Sequence, residues 1–226
     1  MNKPEKPILC YVTDRLSLPA PPRVDAIATL LAHIQIATRA GIDWIQLREK
    51  DLDTRALLDL TIAAIRDTHN ARDASACAAK VIVNDRLDVA WAADAAGVHL
   101  GESSIPAGIV TRQKLNTDKR TIMVGASCHS LEDATQAATN GCDYICFGPV
   151  FATPSKLAFG APQGVSRLRQ VCQSVSIPVL AIGGISIENI AACMDAGASG
   201  IAAIRLFQQA ADLPSSIEQL SIRAKS

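Results

Sequence analysis

Apolar runs of strand length recur along this chain, separated by stretches in which apolar residues return at helical spacing. The strand-like runs fall at 8–13, 43–45, 81–84, 98–100, 121–126, 144–148, 178–182 and 200–204. A helical pattern follows the first near 24–39, after a proline cluster at Pro19, Pro21 and Pro22. The joints between units look alike. Ala40-Gly41-Ile42-Asp43, Ala96-Gly97-Val98, Asn140-Gly141-Cys142-Asp143 and Ala196-Gly197-Ala198-Ser199 each set a glycine between a helical pattern and a short strand. Glycine just past a helix end takes the left-handed cap, so the repeated joint predicts helix-to-strand turns and a parallel sheet. About eight such units predict an α/β fold, a single (β/α)8 TIM barrel spanning 1–226 as one domain. An open doubly wound sheet is the rival, but the glycine-rich fingerprint expected after its first strand is absent. The polar, Ala-rich stretch 70–79 reads as a surface turn.

Composition narrows the class. The chain has 226 residues, 49% hydrophobic but only 4% aromatic, so small and branched aliphatic side chains must build the interior. The formal net charge of +0 gives no overall field to draw nucleic acid or a membrane surface, so any attraction for anions is local. Seven cysteines form an odd set without a CxxC pair, several inside apolar runs, which points to free buried thiols and a reducing, cytoplasmic location. No apolar run is long enough to cross a bilayer, and the first residues lack a signal-peptide core. Neither nucleic acid nor a membrane is therefore an expected partner.

In a barrel, chemistry sits at the C-terminal ends of the strands. Those ends carry Thr13-Asp14, Gln46/Arg48/Lys50, Asn84-Asp85, His99, Ser127-Cys128-His129, the loop from Gly148, Gly183-Gly184 and Arg205. Alternation along a strand would put Gln46, Arg48 and Lys50 on one face, two cations and an amide suited to a planar polyanion. A strand end running out into solvent with snorkelling basic side chains would show the same residues. The loop Gly148-Pro149-Val150-Phe151-Ala152-Thr153-Pro154-Ser155-Lys156 offers two hydroxyls and an ammonium for a phosphate, or is a structural turn. Ala181-Ile182-Gly183-Gly184-Ile185-Ser186 runs from a strand through paired glycines into a helix expected to begin near Ser186, a second phosphate cradle. Asp85 offers a carboxylate to Mg²⁺ or caps a helix.

Taken together, Val12-Thr13-Asp14, Gln46-Leu47-Arg48-Glu49-Lys50, Asn84-Asp85-Arg86, Gly97-Val98-His99-Leu100-Gly101, Ser127-Cys128-His129-Ser130, Asp143-Tyr144, the Gly148–Lys156 loop and Ala181-Ile182-Gly183-Gly184-Ile185 resemble the thiamine-phosphate synthases and their thiazole-tautomerase relatives. The resemblance covers nearly the whole chain. It implies a transferase of thiamine biosynthesis that couples hydroxymethylpyrimidine diphosphate to a thiazole phosphate and releases pyrophosphate. The partners it implies are these small-molecule substrates, with a possible homo-oligomer. By matched position, Gln46, Arg48, Lys50, Asn84, Ser127 and Lys156 would hold the pyrimidine diphosphate, and Asp85 would bind Mg²⁺ as the cofactor. Thr153, Ser155, Gly184, Ile204 and Arg205 would meet the thiazole phosphate. Arg48, Lys156, His99 and His129 are the catalytic candidates, with a core or capping role the alternative for His99.

Two positions depart from the synthase pattern. Ser104 stands where the resemblance implies a second metal-binding carboxylate, with Glu102 two residues away. Arg205 replaces a small hydroxyl residue, and either forks onto the phosphate or fills its space. The tautomerase relatives also lack that second carboxylate, and in them the histidine matching His129 is the acid/base. A metal-independent isomerase and a non-catalytic phosphate-ligand binding protein are thus the alternatives to the transferase.

Overall fold

The inward and outward sides of each strand explain why the apolar runs fold as they do. A computed structural model describes residues 6–19, 25–71, 78–115, 122–153 and 161–224. Among them, eight parallel strands close into a barrel in chain order. The strands are β1 (Ile8–Val12), β2 (Trp44–Leu47), β3 (Lys80–Asn84), β4 (Gly97–Leu100), β5 (Met123–Cys128), β6 (Tyr144–Phe147), β7 (Val179–Ile182) and β8 (Gly200–Ala203). Between and after them run α1 (Ala26–Arg39), α2 (Thr54–Ala71), α3 (Leu87–Ala92), α4 (Ala107–Leu115), α5 (Leu131–Thr139), α6 (Gly164–Ser174), α7 (Ile190–Asp195), α8 (Arg205–Gln208) and α9 (Leu213–Arg223). This is the (β/α)8 barrel that the repeated units predict. The helix α2 ends at Ala71, and residues 72–77 of the expected surface turn lie outside the described residues.

Successive side chains of a strand face opposite ways, so each strand serves two cores. Leu9, Tyr11, Ile45, Leu47, Val81 and Val83 face the helices and join the larger cluster. Cys10, Val12, Trp44, Ile82, Tyr144, Cys146, Leu180 and Ala202 fill the barrel itself. Burying each large side chain of this kind contributes about 1.5–3 kcal/mol. The fit inside is close: a Cβ on Gly125 would lie 2.1 Å from the Tyr144 ring, so β5 makes room for a tyrosine that also meets Trp44 at 4.8 Å between centroids.

Three of the four glycine joints are left-handed caps, at Gly41, Gly141 and Gly197 with φ of 94°, 81° and 98°. Gly97 is not. The short α3 ends at Ala92, Asp94 takes the positive φ of 56°, and Gly97 is already the first residue of β4. The aspartates that follow two of the glycines serve the barrel's N-terminal end. Asp43 accepts from Leu9 N at 2.9 Å, and Asp143 from Val124 N at 2.7 Å. Another departure lies after β7, where α7 begins at Ile190 rather than near Ser186. There the Asn189 side chain accepts from Ser186 N and donates to Gly184 O, bracing the loop before the helix starts. Among the described residues, no helix is long and apolar enough to cross a membrane.

Candidate active site

At the C-terminal end of the barrel, β2 stops at Leu47. Gln46 faces the interior and Arg48 continues that alternation just past the strand, half-buried. Lys50 lies in an exposed turn beyond the strand, where alternation no longer sets its face. Between the two cations, Glu49 is buried at 5% exposure. It accepts from Thr13 Oγ1 at 2.5 Å, from Arg15 N at 3.1 Å and from Arg15 Nη1 at 3.1 Å. Arg15 also forks onto Asp51 through two bonds of 2.6 Å. Hydrogen bonding to Asp51 raises the Arg15 pKa, and the same contact lowers that of Asp51.

Gln46 Nε2 donates to Asn84 Oδ1 at 2.9 Å, joining the ends of β2 and β3. Its Oε1 is buried and has no partner among the described residues. An unmet buried acceptor costs about 1–3 kcal/mol, so a donor supplied from the mouth would be worth that much to binding. Asp85 follows Asn84 with φ of 71°, a left-handed conformation that aspartate tolerates better than most residues. Its amide donates to His99 O at 2.8 Å, while its exposed carboxylate has no hydrogen-bond partner among the described residues. The capping alternative fails: Arg86 occupies the N-cap of α3, without a side-chain cap bond.

His99 stands inside the barrel, 3% exposed, with both ring nitrogens engaged. Nδ1 meets Tyr144 OH at 3.1 Å and Nε2 meets Ser127 Oγ at 2.9 Å. Burial lowers the His99 pKa to about 4 and raises that of Tyr144 well above 10. The ring is therefore neutral and the phenol protonated. With Tyr144 donating to Nδ1, the single N–H of a neutral imidazole falls on Nε2 and donates to Ser127. In that tautomer the Ser127 hydroxyl keeps its proton for a ligand above it.

His129 lies just past β5. Its Nδ1 is hydrogen-bonded to Gly148 O, and its Nε2 faces Glu102 Oε1 at 3.6 Å. Glu102 is thus turned toward His129, across the ends of β4 and β5. Ser104 Oγ accepts from Gly101 N at 2.7 Å and closes its own turn. Among the described residues no three His, Cys, Asp or Glu side chains gather as a metal cluster. Mg²⁺ commonly takes one carboxylate from a protein and the rest of its oxygens from water and phosphate, so Asp85 fits that minimal requirement.

On the far side, Thr153 is buried and accepts a hydrogen bond from Arg205 Nη2. Arg205 opens α8 directly after Ile204, which packs into the barrel interior. The bond uses an oxygen lone pair of the Thr153 hydroxyl. Gly183 and Gly184 have φ of 93° and 65°, and a Cβ on either would come within 2.6 Å of the backbone at Pro149 or Ala152. Paired glycines here let the β7 and β6 loops touch. Ser155 and Lys156 lie outside the described residues.

Gln46 and Asn84 thus come together, as do His99 with Ser127, and Thr153 with Arg205. Glu49, Arg15 and Gln208 were not candidates from the sequence. Gln208 Nε2 donates to Asp14 O at 2.8 Å and its Oε1 accepts from Ser17 Oγ at 3.3 Å, so α8 braces the β1 loop. The signal for Glu49 was parity: it follows Ile45 and Leu47 on the helix-facing side, where an acid needs partners.

Residues 20–207 match the family model described as thiamine monophosphate synthase. A putative thiamine-phosphate synthase of Geobacter sulfurreducens is 43% identical over 175 residues, 77% of this chain and 78% of the relative. The thiamine-phosphate synthase of Moorella thermoacetica is 41% identical over 190 residues, 84% of this chain and 86% of the relative. Among solved structures, a thiamine phosphate pyrophosphorylase from Pyrococcus furiosus superposes with a TM-score of 0.79 at 31% identity, covering 96% of both chains.

Proposed function

The chain belongs to the thiamine monophosphate synthase family, and from that premise we propose how its barrel mouth performs the transfer. The enzyme is a transferase that condenses hydroxymethylpyrimidine diphosphate with hydroxyethylthiazole phosphate, or its carboxylate form, to thiamine phosphate. The bond from the pyrimidine methylene carbon to the diphosphate oxygen breaks, and its electron pair leaves with pyrophosphate. The thiazole nitrogen then gives its lone pair to the carbon.

The observation that carries the site assignment is the buried Oε1 of Gln46, without a partner among the described residues, an acceptor suited to a donor such as an aminopyrimidine's exocyclic amine. With the ring there, the diphosphate falls to Arg48, Asn84, the Ser127 hydroxyl, Lys50 and Lys156. Charge grows on the departing pyrophosphate, and donors fixed in advance stabilise it with little reorganisation. Asp85 would hold Mg²⁺, which when bound neutralises phosphate charge. Thr153, Ser155, the Gly184 backbone, Ile204 and Arg205 take the thiazole phosphate. The hydrogen-bonded pair of Thr153 and Arg205 supports the reading in which the guanidinium adds donors to that phosphate rather than displacing it.

The test is thiamine phosphate formation by purified protein given both substrates and Mg²⁺, with product absent under chelator. No product above background would reject the proposal. A second reading, thiazole tautomerisation, is favoured by the setting of His129: the Gly148 carbonyl orients the ring and Nε2 lies 3.6 Å from Glu102 Oε1, a pair of groups able to exchange a proton. That activity would survive chelator and collapse in His129→Asn.

A further inference from the structure

Parallel strands bond in alternation, and the pairing of Val12 with Gln46 sets the next rungs between β1 and β2. Thr13 N donates to Gln46 O at 2.9 Å, as that register requires. The following rung would take Arg48 N to the Thr13 carbonyl. Instead Arg48 N donates to the Thr13 hydroxyl at 3.1 Å. The same hydroxyl gives its proton to Glu49, which is held in turn by the backbone and guanidinium of Arg15. Thr13 is fully buried, and the Glu49 side chain is 2% exposed. A buried acid beside a site meant for a diphosphate opposes binding by charge, so its place there calls for another reason.

We propose that Glu49, acting through Thr13, is a positioning residue that fixes the Arg48 peptide beyond the end of β2. This rests on the reading of Arg48 as a diphosphate ligand. The proton arrangement is one-way. An ionised carboxylate only accepts, so the Thr13 O–H must donate to Glu49, and its lone pairs must face Arg48 N–H. Arg15 pairs with the carboxylate and ties it to Asp51, while Gln208 holds the same loop from α8. Arg48 is thereby anchored at its backbone, while its guanidinium, without a partner among the described residues, can meet the leaving group.

Thr13→Val keeps the volume and removes the hydroxyl; Thr13→Ser keeps the hydroxyl. Steady-state kinetics on the full-length enzyme should show kcat falling about 10–100-fold in Thr13→Val, as a misplaced charge-stabilising group costs. KM for the thiazole phosphate should stay unchanged, and Thr13→Ser should recover kcat to within about threefold. Glu49→Gln, nearly isosteric, should reproduce the kcat loss and serves if Thr13→Val does not fold. Urea midpoints confirm which variants are folded. Wild-type kcat in folded Thr13→Val, or in folded Glu49→Gln, would overturn the proposal. So would equal losses in Thr13→Val and Thr13→Ser, or a thiazole phosphate KM that rises in step. Arg48→Ala separates the two layers: if it leaves turnover intact, the ligand reading of Arg48 fails. If it abolishes turnover while Thr13→Val does not, only the positioning role fails.

Discussion

Replacing Gln46 by methionine should move stability and binding in opposite directions. The side chain is 3% exposed, and its Oε1 is a buried acceptor without a donor. Methionine matches glutamine in length and shape but has no strongly polar atom, so the substitution removes an unmet group that costs about 1–3 kcal/mol. Against this stands the lost bond to Asn84, about 0.5–1.5 kcal/mol, softened because the half-buried Asn84 amide can turn to water. The folded state should therefore be unchanged or more stable by about 1 kcal/mol. Ligand binding goes the other way. If a pyrimidine donor satisfies Oε1, its loss removes about 1.5–3 kcal/mol, or about 10–150-fold in affinity. Urea unfolding gives the first number and titration calorimetry with hydroxymethylpyrimidine diphosphate the second. A purely structural glutamine gives the reverse pattern. A urea midpoint lowered by more than about 1 kcal/mol in stability, with wild-type affinity retained, would refute the reasoning.

Two further outcomes follow from the same geometry. Asp85→Asn keeps a residue that tolerates positive φ, so stability should change by less than about 0.5 kcal/mol while the Mg²⁺ concentration for half-maximal rate rises at least about tenfold; an unchanged Mg²⁺ requirement would remove Asp85 from the metal site. His99, with its pKa lowered to about 4 by burial, binds its proton later than an unfolded histidine at 6.5. The unfolded chain therefore gains protons first as pH falls, so this contribution is complete above pH 6.5 and is lost on the way down to about pH 4, roughly 3 kcal/mol in all. Urea midpoints measured across that window should flatten in His99→Gln, and an unchanged slope would count against a neutral buried imidazole.

The barrel was legible because its strands are short apolar runs bounded by glycine, and a parallel sheet buried on both faces leaves no polar alternation to confuse the pattern. Gly97 misled because α3 is only six residues long and Asp94, not a glycine, makes the reversal. After β7 a single turn does form at Ser186, whose carbonyl accepts from Asn189 N and Ile190 N, but the regular helix starts only at Ile190 because the Asn189 side chain ties Ser186 N and Gly184 O into the loop. In the site, Gln46, Asn84 and Asp85 follow from position at strand ends. Lys50 falls in an exposed turn past the strand, where alternation no longer fixes a face. Pairings made across loops, such as Glu49 with Arg15 or Thr153 with Arg205, join segments distant in sequence, and nothing in local periodicity encodes them.

The central claim is that the ends of β2 and β3 receive the pyrimidine diphosphate. A crystal structure of the enzyme soaked with that substrate alone, without the thiazole phosphate, tests it directly. The account predicts a ring donor within hydrogen-bond distance of Gln46 Oε1 and a diphosphate against Arg48. Density on another face of the barrel, or a ring turned away with Gln46 still unpartnered, would contradict it.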